Sequence, residues 1–103
     1  DLGKKYMDLA VIGEITALTP SNIRLVRMTT QLGSLVDKKN SKKVLVLDGI
    51  IQGDRLTLES ALAGYLIKLK NSPLFDQPNI SRKSFEYILE EQVLRFTAQL
   101  KLT

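Results

Sequence analysis

The sequence predicts an α+β fold, a two-layer sandwich in which two helices cover one face of four antiparallel strands. Three observations predict it. Two segments carry apolar residues at helical spacing, and a proline follows each within a few residues, Pro20 after Leu18 and Pro73 after Lys70. A pair of extended segments comes after each helix. The last of these, residues 94–102, alternates Leu94, Phe96, Ala98, Leu100 and Leu102 with Arg95, Thr97, Gln99 and Lys101, the period of two that marks a strand with one wet face.

The first helix is expected over residues 3–18, with good helix formers from residue 4 onward. Met7, Ala10, Val11, Ile15 and Leu18 form its apolar stripe. Leu9 and Ile12 lie off that stripe, and Tyr6, Gly13 and Ala17 lie along its other flank, so the helix is apolar around most of its circumference. Such a helix is covered on more than one side. The second flank, Tyr6, Leu9, Ile12, Gly13 and Ala17, either packs inside the domain or meets another chain, for instance as the end of an upstream coiled coil. These five residues are the candidate interaction site.

Thr19-Pro20-Ser21-Asn22 stops the helix, and residues 23–30, with Arg24 and Arg27 set among Ile23, Leu25, Val26 and Met28, read as a half-buried strand. Residues 31–43 form a long connection carrying Lys38, Lys39, Lys42 and Lys43, a solvated loop by composition. Residues 44–51 are apolar apart from Asp48 and Gly49, which predicts a strand that either has both faces covered or sits centrally, with a bulge expected near Gly49. Asp54 is the natural N-cap of a second helix whose core stripe is Leu58, Ala61, Leu62, Tyr65, Leu66 and Leu69, with Ile67 alone outside it. Residues 80–88 read as a strand with Phe85 and Tyr87 on one face, assigned to the core under the helices, and Arg82, Ser84 and Glu86 on the other. Residues 89–92 supply the last turn. The order αββαββ is that of a circularly permuted ferredoxin-like arrangement in a single domain, residues 1–103.

Composition narrows the chemistry. With no cysteine and no histidine among 103 residues, thiolate nucleophiles, imidazole bases, disulfides and the common zinc sites are excluded. The carboxylates are scattered, Glu90 and Glu91 fall in a turn, and Asp48 is the single acid within an apolar run. No phosphate-loop spacing is present. The expectation is a non-enzyme with no catalytic residues, no metal and no cofactor. The net charge of +4, from 15 Lys and Arg against 11 Asp and Glu, is mostly dispersed. Arg82 and Lys83 precede Phe85 and Tyr87 in the manner of an RNA-reading strand, but the glycines of that pattern are missing and Glu86 intrudes. No nucleic-acid partner is expected; a basic nucleic-acid module and a small-ligand sensor stand as the alternatives. An uncovered edge strand would be a second docking surface. No apolar run is long enough to span a bilayer. The chain begins at Asp1 without an initiator methionine, which reads as a piece cut from a longer protein.

Three runs carry a family likeness: Leu18-Thr19-Pro20-Ser21-Asn22-Ile23-Arg24-Leu25, Leu47-Asp48-Gly49-Ile50-Ile51, and Leu62 through Phe75 with Leu69, Ser72 and Phe75 near its end. Together with the strand carrying Leu94, Phe96 and Leu100, they make the chain resemble PilN, the fimbrial assembly protein of type IV pilus machines; the type II secretion protein GspL shares the domain plan. The resemblance implies a ferredoxin-like domain on the periplasmic face of the bacterial inner membrane, pairing with itself or with a PilO-like protein. It further implies a PilM-like partner bound through an upstream tail, and a membrane segment upstream of this sequence.

Overall fold

A computed structural model describes residues 2–32 and 43–102. The elements run α1 (Leu2–Leu18), β1 (Ile23–Leu32), β2 (Lys43–Ile51), a 3-10 turn (Arg55–Thr57), α2 (Leu58–Lys70), β3 (Phe75–Ile88) and β4 (Glu91–Leu102). The αββαββ order and the all-antiparallel four-stranded sheet are as the periodicity predicts. Strands lie in the order β1-β2-β4-β3, the order obtained when the first strand of a ferredoxin-like fold is moved to its C-terminal end.

Alternation sorts the sheet into two faces. Leu45, Leu47 and Ile51 of β2 and Leu94, Phe96, Ala98, Leu100 and Leu102 of β4 form one buried layer, against which Leu58, Leu62, Tyr65 and Leu69 of α2 and Val11 and Ile15 of α1 pack. The stripe expected for α2 is the one observed, with Ala61 and Leu66 at its margin. That of α1 is narrower than expected. Val11 and Ile15 are buried and Leu18 packs against the core, but Ala10 is exposed, and the side chain of Met7 lies outside the described residues. β2 is central, between β1 and β4.

Several boundaries move for identifiable reasons. Asp54 caps the 3-10 turn, its carboxylate accepting the Leu56 amide at 3.4 Å, and α2 begins only at Leu58. β1 and β2 take Gln31, Leu32 and Lys43 from the predicted connection, whose remainder, including Lys38, Lys39 and Lys42, lies outside the described residues. The irregularity expected near Gly49 is there, but the extra residue is Val26 on β1: Leu25 pairs with Gly49 and Arg27 with Asp48. β3 begins at Phe75 rather than at residue 80, with a register shift between Asp76 and Asn79 that absorbs Pro78 and a second between Ile80 and Arg82. The last turn is Leu89-Glu90 alone, and Glu91 and Gln92 belong to β4.

The largest correction concerns Phe85 and Tyr87, assigned to the core and found 45% and 73% exposed. They do share a face with Leu94, as alternation requires. The helices do not reach them. The 13 residues of α2 extend about 20 Å at helical rise, whereas the 14 residues of β3 extend about 46 Å at strand rise. The β3–β4 hairpin therefore outruns its cover.

Candidate interaction surface

Between Leu9 and Leu18 the only charged residue is Glu14. It is already engaged: the Ser72 hydroxyl donates to Glu14 Oε2 at 2.6 Å, and Ser72 Oγ accepts the Leu74 amide. A second tie lies one turn on, where Thr19 Oγ1 stands 2.8 Å from the Tyr65 hydroxyl. Thr19 spends its single proton on the Ile15 carbonyl at 2.6 Å, so Tyr65 is the donor. These two links and the buried Val11 and Ile15 fix which side of α1 faces inward.

The side left facing solvent holds the residues singled out from the sequence. Leu9 is 59% exposed and Ile12 47%, and Gly13 and Ala17 are exposed beside them. With Thr16 they stand at i, i+3, i+4, i+7 and i+8, one continuous stripe. The Thr16 hydroxyl is turned back onto the Ile12 carbonyl at 2.8 Å, so this residue presents chiefly its methyl group outward. Tyr6 belongs to α1, and its side chain lies outside the described residues. A Cβ built on Gly13 would meet nothing within 4 Å, and the same holds for Gly64 on α2. Neither glycine makes room for a neighbour within the domain, and a mid-helix glycine costs about 1 kcal/mol against alanine. From Leu9 to Ala17 the second flank of α1 is thus left uncovered by the described residues.

Sequence reasoning missed a groove at the sheet edge. Val11 and Ile12 of α1, Met28 and Thr30 of β1 and Leu45 of β2 surround an open hollow of about 190 Å³. Its volume lies below the roughly 300–1,000 Å³ of sites for drug-sized ligands. Met28 and Thr30 follow the core-facing alternation of β1, the one signal that would have pointed to it.

Elsewhere polar groups do not converge. Asp48, on the uncovered face of the central strand, is half-buried and accepts the Thr97 hydroxyl at 2.6 Å. Among the described residues no three acidic side chains gather to hold a metal ion, and no helix is long and apolar enough to cross a membrane. Burial pushes the Tyr65 phenol above its ordinary range.

Exposure of Phe85 and Tyr87 removes burial as an argument against an RNA-stacking strand, but the register supplies a better one. RNA-reading sheets stack bases on the face that helices leave open. Phe85, Tyr87, Phe75 and Phe96 all lie on the helix side. The open face carries Arg24, Arg27, Val46, Asp48, Ile50, Arg95 and Thr97, with no aromatic residue among the described strands.

No family model matches this chain, and no curated protein or solved structure matches it.

Proposed function

We propose that the domain is a non-catalytic docking module: an interaction domain of a bacterial inner-membrane type IV pilus complex, or of a related secretion complex, working by pairing with itself or with a PilO-like protein. The observation that carries the docking part is the outer face of α1. Leu9, Ile12, Gly13, Thr16 and Ala17 lie bare in a segment whose one charge is bound to Ser72. Covering such a surface is worth on the order of 25 cal/mol per Å² of apolar area removed from water. The assembly part rests on the likeness of the runs around Leu18–Leu25, Leu47–Ile51 and Leu62–Phe75 to PilN, and the periplasmic location and the PilM-like contact through an upstream tail follow from that likeness.

Sedimentation velocity from micromolar to millimolar concentration, with the domain alone and mixed with a PilO-like periplasmic domain, tests the reading. A dimer or a mixed complex is expected, and Leu9→Glu is expected to return it to monomers while leaving the thermal midpoint nearly unchanged, because Leu9 is exposed in the folded chain. A monomer under all these conditions overturns the proposal.

A further inference from the structure

We propose that the edge of β1, unpaired among the described residues, and the groove beneath it receive an extended segment of a partner protein in which apolar residues alternate with acidic ones. The proposal rests on the domain being an interaction module, and not on pairing through α1.

The sheet has two edges, β1 and β3, and they are not equivalent. β3 carries Pro78, a left-handed Gln77 at φ 48° and two register shifts, the devices that keep an edge from pairing. β1 has no proline, and beyond the extra residue Val26 it runs from Arg27 to Leu32 in unbroken one-to-one pairing with β2. Its outward backbone groups are therefore set in register for a fifth strand.

Side chains of an added strand point alternately to the two faces of the sheet. On the helix side they would enter the groove walled by Ile12, Met28 and Thr30, whose 190 Å³ suits aliphatic side chains and not a drug-sized molecule. On the open side they would stand beside Arg24 and Arg27. Both guanidinium groups are exposed, and among the described residues neither has an ion-pair partner. The fitting segment is thus apolar toward α1 and acidic toward the arginines. A second copy of this chain fits poorly, because pairing β1 with β1 would place four unpaired arginines on one face of the joined sheet, and like charges across strands destabilise.

The test titrates a fluorescein-labelled, end-capped peptide alternating valine and glutamate into the chain and reads anisotropy, with amide exchange locating the contact. Saturable binding is expected, with slowed exchange confined to β1. Thr30→Glu, a substitution at an exposed groove position, is expected to weaken binding about tenfold, the value of one buried aliphatic contact. Arg27→Glu is expected to weaken it and to flatten its salt dependence. Ile67→Glu, on the exposed face of α2, is expected to bind as wild type. Flat anisotropy at millimolar peptide overturns the proposal, as does equal binding by a peptide N-methylated at alternate residues, by Thr30→Glu, or by a valine–lysine peptide. Binding of an RNA oligomer in place of the peptide overturns it too. Leu9 does not line the groove, so the two readings fail separately: a wild-type chain that binds the peptide but sediments only as a monomer overturns the α1 interface alone, and a dimer that Leu9→Glu dissolves but that binds no peptide overturns the β1 proposal alone.

Discussion

The ring of Phe96 lies across the backbone of Gly49, its register partner on β2, so closely that a Cβ on Gly49 would come within 2.8 Å of the ring Cζ and 3.1 Å of the Arg24 carbonyl oxygen. On its other side the ring meets Tyr65 edge to face, with centroids 6.2 Å apart and planes at 72°. Tyr65 in turn donates to Thr19 at the end of α1. A single line of contacts therefore ties β2, β4, α2 and the end of α1 through the side chains of Phe96, Tyr65 and Thr19 and the missing Cβ of Gly49.

Gly49→Ala tests that relationship. In an open strand the change would stabilise by about 0.5–1 kcal/mol through the lost backbone entropy of glycine. Here the ring is buried and packed against Tyr65, the backbone oxygen of Arg24 is close as well, and overpacking of a filled core costs about 1–3 kcal/mol. The clash wins, and urea melts are expected to show net destabilisation of about 1–2 kcal/mol. Phe96→Leu in the same chain should recover part of it, a non-additivity expected of residues in contact.

Tyr65→Phe keeps the ring and removes the hydroxyl. Thr19 retains its bond to the Ile15 carbonyl and loses only the one from Tyr65, so the expected cost is about 1 kcal/mol, or about 4–8 °C in thermal midpoint for a domain of this size. The alkaline limb gives a second reading. The folded phenol is raised above the unfolded value of 10.0, so its neutral form contributes stability that is fully present below pH 10 and lost as pH climbs through the folded value. Stability of wild type should therefore fall above pH 10, and Tyr65→Phe should lose that part of the slope. A parallel decline in both proteins would remove Tyr65 from the account.

The stripe of α2 and the alternation of β4 were legible because each element buries a single face, and burial of one face imprints its period on the sequence. Leu58, Leu62, Tyr65 and Leu69 are spaced for a helix and for nothing else. The outer flank of α1 was visible for the complementary reason: Leu9, Ile12 and Gly13 break the expected polar face. Phe85 and Tyr87 were misjudged because alternation states which residues share a face and not how far the cover extends; that depends on the mismatch between helical and strand rise. The groove by Met28 and Thr30 was hidden for a related reason. It exists because β1 is an edge strand, and strand order is a property of the whole chain.

The β3–β4 turn is the place where sequence and backbone disagree most. Leu89 and Glu90 have φ of 51° and 68°, the paired left-handed conformation of a type I′ hairpin turn, which ordinarily selects Asn-Gly. Leu89 is also 93% exposed, so no packing offsets its strain. Replacing both residues, Leu89→Asn with Glu90→Gly, is expected to stabilise the domain by about 1–2 kcal/mol, since the left-handed conformation costs about that much for an ordinary residue. Thermal melting measures it. An unchanged or lower midpoint would show that the turn is not the strained element its dihedral angles describe.

Ser72 gives the last prediction, because it is the one buried polar residue of the described chain and joins the end of α2 to α1. Its hydroxyl donates to Glu14 and accepts from the Leu74 amide, so Ser72→Ala removes two hydrogen bonds and leaves a half-buried carboxylate facing a methyl group. Hydrogen bonds to a charged partner contribute about 1.5–3 kcal/mol when buried, and partial exposure of Glu14 lowers this to about 1 kcal/mol. Glu14→Gln, which keeps an acceptor oxygen, should cost less than Ser72→Ala, and the double substitution should cost less than the sum. The same pair bears on docking. With Glu14 held against Ser72 the outer face of α1 from Leu9 to Ala17 stays uncharged, whereas Ser72→Ala frees the carboxylate to turn outward beside Gly13 and Ala17. Sedimentation of Ser72→Ala should therefore show weaker self-association or partner binding than its small loss of stability explains, and Ser72→Thr, which restores the hydroxyl, should recover it.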